Sequence, residues 1–383
     1  NLSVDADQIE GDGIISGTER ADGVVLTGTT EPGSTVMVTM GSETVQAVVD
    51  ANGNWSAPFT ANQVPMGETV TDITVTATDL AGNIATVSDT VEVDTLVNQL
   101  SIQDQVTDDD VSSGSEARGG INLGGQVEAG STVMVDFNGS VLAATVDAAG
   151  NWSLDISPSA IPAVTYVAEV VVMATDAVGN TETITDMLQI DTEAPDGPVI
   201  ASFTRDGEGI RGISTELNEG DLAVAQVSES GGVMDVAALQ EDVAILGETV
   251  FQFDQTVPDG SDLAATSTDA AGNSTGTYVA FDDETAGSTI SLGSPALGNY
   301  QIEQVDLQFA EEANLTITEA QLVALSESSD TLVVHGGSDD TVTIAGATRD
   351  GTTTVDGQTY DVYNLGTGTV VLDDDINVNT NVV

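Results

Sequence analysis

The side chains of this chain that could do chemistry are its acids, and they recur in one turn. Asp79-Leu-Ala-Gly82-Asn83 returns as Asp176-Ala-Val-Gly179-Asn180 and as Asp269-Ala-Ala-Gly272-Asn273. An alternating apolar run follows each turn and ends in an aspartate, at Asp94, Asp191 and Asp282. Positions 79 and 176, like 94 and 191, are 97 residues apart, and the third copy follows 93 and 91 residues later. Carboxylate and carbonyl oxygens are hard ligands that favour calcium over softer metals. With 63 Asp+Glu against 5 Lys+Arg and a net charge of −58, crowded acids would repel one another unless a cation sat between them. They crowd at the ends of the repeats, at 89–94 and 104–110. The turns also have a purely conformational reading, because Asp, Gly and Asn are favoured turn formers. Most single exposed carboxylates are simply a solvated face.

Other chemistries fall away. No cysteine is present, which removes disulfides, thiolate metal sites and a cysteine nucleophile. The one histidine, His335, sits at a strand end beside Gly336-Gly337 and reads as structural or exposed. Gly207-Glu-Gly209-Ile-Arg-Gly212 matches a dinucleotide fingerprint, yet no helix pattern follows it, so a hairpin loop is expected. Asp5-Ala-Asp7-Gln-Ile-Glu10 echoes an EF-hand start and fails where Ile9 and Glu10 occupy a ligand and the glycine position. Nucleic acid and anionic membranes need basic patches that the sequence lacks. No apolar run is long enough to span a bilayer, and no basic-then-apolar signal segment opens the chain. The chain starts at Asn1, as would a fragment, a processed product, or a substrate exported by a C-terminal signal.

The elements that must hold these acids are short strands. Val/Thr/Ile-rich stretches alternate in the manner of half-buried strands, with turn signals every 8–12 residues, in units of roughly 100. The fold class is therefore all-β, with tandem two-sheet sandwiches in an elongated rod. Module one covers 1–95, module two 96–192, a diverged module three 193–284, and a β-rich C-terminal module 285–383. Modules one and two align without a gap, so that Asp7 matches Asp104 and Asp12 matches Asp109. Asp50-Ala-Asn-Gly53-Asn54 is a hairpin turn, and Trp55 after it packs into the core.

Glu31-Pro-Gly-Ser-Thr-Val, Asp50-Ala-Asn-Gly-Asn-Trp, Thr78-Asp-Leu-Ala-Gly-Asn and Val93-Asp94-Thr, in that order, resemble the bacterial immunoglobulin-like repeats of giant secreted RTX-type adhesins. The resemblance implies modules arranged end to end with calcium stiffening the junctions. The Asp79–Asn83 loop and Asp94 would then face Asp104 and Asp109, with Asp7 and Asp12 as the matching acids of module one. Asp176, Asn180 and Asp191 would repeat the geometry against module three, and Asp269, Asn273 and Asp282 would be the third set. Lys–Asn cross-links, another stiffening device of such proteins, are excluded because there is no lysine.

After 285 the pattern changes. Thr318-Glu-Ala-Gln321 is a capping box that opens one short helix, 318–325, and strands are expected at 331–335, 341–344, 360–363 and 369–372. The order of these segments resembles a module near the C-terminal end of such adhesins. Gly336-Gly-Ser-Asp339-Asp340-Thr-Val resembles half of a calcium-binding nonapeptide, and one such copy is expected not to form a β-roll.

The chain is accordingly read as a non-enzymatic, calcium-stiffened spacer of a bacterial surface adhesin, extracellular and exported by a type I route. Two alternatives belong to other classes. One is a self-assembling filament or surface-layer subunit, joined head to tail through terminal strands 1–4 and 376–383, which look unpartnered. The other is a glycan-binding sandwich, disfavoured because 4% aromatic residues leave no clear cluster to stack on a sugar ring.

Overall fold

The computed structural model describes residues 2–103, 111–217, 220–281, 288–355 and 357–381. Asp104, Asp109 and Asp282 lie outside the described residues, as does the side chain of Asp7. The chain falls into two compact units, one of residues 1–110, 120–160 and 167–189, the other of 111–119, 161–166 and 190–383.

In the first unit, module one contains β1 (Ile14–Ile15), α1 (Gly17–Asp22), β2 (Val24–Thr29), β3 (Thr35–Met40), β4 (Glu43–Gln46), β5 (Val48–Val49), β6 (Asn54–Phe59), β7 (Glu68–Thr78) and β8 (Ile84–Asp94). One sheet has the order β1-β8-β7-β3-β4 and the other β2-β6-β5. Alternate residues of β2 are buried and exposed in turn, as a strand with one face on a core requires. Between the sheets lie Leu26, Val36, Val38, Met40, Ile73, Val75, Val93 and Trp55. Module two repeats the pattern 97 residues on, with Thr132–Phe137 in place of β3 and Trp152 in place of Trp55.

Both tryptophans are pinned in the same way. Trp55 Nε1 donates to the Ser3 carbonyl at 3.1 Å, and Trp152 Nε1 donates to the Ser101 carbonyl at 3.0 Å. Gly28 and Gly125 make this possible, because a Cβ there would stand 2.6 and 2.7 Å from the indole.

The segment 1–4 was expected to lack a partner, and this is corrected. Ser3 and Asp5 donate backbone bonds to Thr29 and Thr27, adding an edge to the β2 sheet. The other end is also paired, since Asn377–Asn379 lies parallel to Thr341–Thr343.

In the second unit, a four-stranded sheet (Ile200–Asp206, Gly209–Glu216, Glu248–Pro258, Ala238–Val243) packs on part of a nine-stranded one. Gly207-Glu208 is the turn of the first hairpin, as expected. The nine-stranded sheet runs on from Ser274–Phe281 to Ile302–Phe309 by parallel pairing, so the stretches 193–284 and 285–383 share it. Beyond that point the chain alternates between two parallel sheets. Ile302–Phe309, Thr331–His335 and Gly368–Asp373 pair in one, and Thr289–Ile290, Asn314–Thr316, Thr341–Thr343 and Asn377–Asn379 in the other. This winding is a short solenoid that the sequence reading did not anticipate, although it is not the nonapeptide β-roll that a single copy was expected not to form. Its coils do not need repeated nonapeptides, because a ladder of Ile290, Leu315, Val342 and Val378 stacks in register and buries apolar area. The helix Glu319–Leu325 carries the capping box of Thr318 and Gln321.

Candidate metal centre

The Asp-x-x-Gly-Asn turns close on themselves. In each of the loops 79–83, 176–180 and 269–273, one aspartate oxygen accepts the backbone N–H groups two and four residues on, and the Asn side-chain amide donates to the other. The conformational reading of these turns is therefore correct for their internal shape. What differs between them is where they sit.

Asp79–Asn83 does not lie beside Asp94. It is the turn of the β7–β8 hairpin, in which Thr78 pairs with Ile84 at one end and Glu68 with Asp94 at the other. Ten residue steps at about 3.3 Å separate turn and terminus by roughly 33 Å. The expected grouping of Asp79 and Asn83 with Asp94 is corrected for this reason. A hairpin puts its turn and its chain ends on opposite edges of the module.

The loop that meets Asp94 is Asp176–Asn180. Asn180 is 6% exposed, and its Nδ2 donates to the Asp94 carbonyl at 3.0 Å and to Asp94 Oδ1 at 3.2 Å. Its Oδ1 accepts the Gly17 N–H at 2.7 Å. A Cβ on Gly17 would lie 2.9 Å from that oxygen, so a larger residue would push the loop away. Ser16 and Glu19 form a capping box that fixes the Gly17 amide in place.

Around this plug the acids converge. Glu68, Asp94 and Glu128 bring carboxylate oxygens within 4.8 Å of one another. Burial pushes the Asp94 and Glu128 carboxyls above their usual range, and the charges of Asp176 and Glu68 add to the shift in both. Only one hydrogen bond from the backbone softens each, from Leu96 to Asp94 and from Asn98 to Glu128. Three crowded carboxylate oxygens, with only other carboxylates among the charges that shift Asp94 and Glu128, are a donor set that suits a hard divalent cation.

The second unit repeats the plug with less acid. Asn273 donates to the Asp191 and Glu193 carbonyls at 2.9 and 3.3 Å, and its Oδ1 accepts the Gly114 N–H at 2.7 Å. Asp191 accepts instead from the Thr165 hydroxyl at 2.6 Å, and Thr165 stands where module one has Glu68. Asp269 stays within its own turn. Asp12 accepts from Ile14 N–H and takes no part in the acid group. Among the described residues the other three-carboxylate group is Asp373, Asp374 and Asp375. His335 hydrogen-bonds through Nδ1 to the Tyr360 hydroxyl, consistent with its structural reading.

Gly17, Glu68 and Glu128 were missed from sequence. The signal for the first was legible, since Ser16-Gly17-Thr-Glu19 returns as Ser113-Gly114-Ser-Glu116 at the same 97-residue offset. Glu68 and Glu128 are far apart in the chain and meet only through packing. Replacing Asn180 by alanine is expected to leave the Gly17 amide and the Asp94 carbonyl without partners. Lost buried hydrogen bonds of this kind cost about 1–3 kcal/mol. Hydrogen exchange should then show the Gly17 amide losing protection while the strand amides of β3 keep theirs, and unchanged exchange at Gly17 would refute the plug.

Residues 18–94 match the family model described as Bacterial Ig domain. No curated protein matches the chain. Among solved structures, a segment of a 1.5-MDa bacterial ice-binding adhesin is 24% identical over 73% of this chain and 95% of its own, with a TM-score of 0.42. A Ca2+-stabilized adhesin with which an Antarctic bacterium binds ice is 26% identical over 98% and 90%, with a TM-score of 0.36. An immunoglobulin-like domain of the M. primoryensis ice-binding adhesin is 34% identical over 25% of this chain and 96% of its own, with a TM-score of 0.20. Through residues 18–94 the chain belongs to the bacterial immunoglobulin domain family.

Proposed function

We propose that the chain is a structural, non-enzymatic segment of a bacterial surface adhesin, a spacer whose modules are stiffened by calcium outside the cell. The observation that carries this reading is the group of Glu68, Asp94 and Glu128, placed where the Asp176–Asn180 loop meets the end of β8. Bound there, calcium would supply the positive charge that three converging carboxylates lack. The four groups that meet at Asn180 would hold the loop in register, and the acids would hold the ion. The similarity to a Ca2+-stabilized adhesin supports the same ion. No helix among the described residues is long and apolar enough to cross a membrane. The filament reading loses part of its motivation, because among the described residues Ser3 and Asp5 and the strand Asn377–Asn379 pair within the chain.

Millimolar calcium is expected to raise the melting temperature above that in a chelator, since ligand linkage contributes about 2.7 kcal/mol per site at a hundredfold excess over Kd. Asp94→Asn together with Glu128→Gln should abolish most of that increment while the protein stays folded in chelator. A melting curve that is the same with calcium and chelator would refute the calcium reading, and an undiminished increment in the double variant would move the site elsewhere.

A further inference from the structure

Among the described residues, Arg118 is the arginine whose guanidinium has no hydrogen-bonding or ionic partner. Arg205, Arg211 and Arg349 pair with Asp259, Asp206 and Asp361, and Arg20 Nε donates to the Val64 and Pro65 carbonyls, both at 3.1 Å. The short helices Gly17–Asp22 and Gly114–Gly119 align as Gly-Thr-Glu-Arg-Ala and Gly-Ser-Glu-Ala-Arg, so the arginine has moved one position along. One position is about 100° round a helix, which turns Arg118 away from the face that Arg20 uses and leaves the buried Ala117 there. Arg118 instead lines a cavity of about 190 Å³ within the second unit. Its Nη1 and Asn273 Oδ1 lie 3.4 and 3.0 Å from the point where a Cβ on Gly114 would stand.

Two more side chains line this cavity without a partner among the described residues, Asn299 and Glu327. Glu327 shares the cavity with Arg118 and forms no ion pair with it. The wall that carries them is fixed. Gln301 Oε1 accepts the Glu327 N–H at 2.9 Å, and the Ser328 hydroxyl donates to Glu303 at 2.7 Å. Gln301 itself is held in the left-handed region, at φ 48°, which a residue with a side chain adopts only where its surroundings impose it.

We propose that this cavity binds a small zwitterion, a free α-amino acid. Arg118 takes the carboxylate through paired N–H donors, Glu327 accepts from the ammonium group, and the Asn299 amide meets a short polar side chain. Charge decides the class. A simple anion would approach a chain of net charge −58 and meet Glu327, and a simple cation would meet Arg118. A ligand that carries both charges and no net charge meets neither penalty. The volume equals roughly six waters at about 30 Å³ each, which leaves no room for a large side chain or a peptide. None of these residues belongs to the calcium group proposed above, so either idea can fail without the other.

The test titrates the full chain, in chelator, with L-serine and reads binding by calorimetry and by the backbone amide shifts of Ser115 and Gln301. Saturable binding with shifts at both amides is expected. Propionate and ethanolamine, each lacking one charged group, should bind at least tenfold more weakly. Arg118→Gln and Glu327→Gln change exposed side chains, so they should keep the parent's melting temperature while each raises Kd at least tenfold. Arg211→Gln removes an equal charge elsewhere on the same unit and should leave Kd unchanged. The proposal is overturned if L-serine shows no saturable binding up to tens of millimolar, if propionate or ethanolamine binds as tightly, or if Arg118→Gln and Glu327→Gln leave Kd as it was.

Discussion

Replacing Trp55 by alanine is expected to unfold module one or bring it close to unfolding. Trp55 is among the largest fully buried side chains, at 1% exposure, and it fills the space between the β2 and β3 sheets. Truncating a buried tryptophan costs about 3–5 kcal/mol, a large part of the roughly 5–15 kcal/mol that holds a domain folded. The indole also holds the 2–5 segment through the Ser3 carbonyl. Trp55→Phe separates the two roles, because it keeps most of the volume and removes the N–H. Denaturant unfolding should show Trp55→Ala with a much lower midpoint and Trp55→Phe with a smaller loss, and the phenylalanine variant should free the Ser3 and Asp5 amides to exchange. A midpoint for Trp55→Ala within error of the parent would contradict the core assignment.

Asp306 gives the second large effect, and its sign is opposite. It is 7% exposed, and its Oδ1 accepts the Gln308 N–H at 2.9 Å. Burial, with a further contribution from the Asp340 charge, pushes its carboxyl from 3.8 up to about 6. The folded state therefore favours the protonated acid. This contribution to stability is complete below about pH 3.8 and is lost as pH rises through about 6. Two pK units correspond to roughly 3 kcal/mol. Asp306→Asn keeps the acceptor for Gln308 and removes the charge, so the variant should be more stable than the parent by on the order of 3 kcal/mol at pH 7.5. The difference should shrink toward zero at pH 4. Thermal unfolding of both proteins across that range checks it, and a difference that does not change with pH would show that Asp306 is not charged against its surroundings.

Much of this architecture was legible in the residues. The 97-residue offset gives the tandem modules, and alternating Val/Thr runs between glycine turns give strands with one face on a core. Trp55 after its turn, and Thr318 with Gln321 at the helix start, are local signals, and local chemistry decides them without help from the rest of the chain. The internal shape of the Asp-x-x-Gly-Asn turns belongs to the same class.

Only the tertiary structure decided which turn meets which strand end. A shared sequence motif says that Asp79 and Asp176 do the same thing, and nothing about where. Hairpin length placed Asp79 far from Asp94 and left Asp94 to the next module's Asn180. Glu68 and Glu128, 60 positions apart, became neighbours through packing at that contact. The solenoid was hidden for a related reason. Its coils differ in length and share no repeated motif, so its apolar ladder exists only once Ile290, Leu315, Val342 and Val378 are stacked in register. Sequence fixes what each segment prefers locally, whereas contacts between distant segments depend on how those segments are brought together in space.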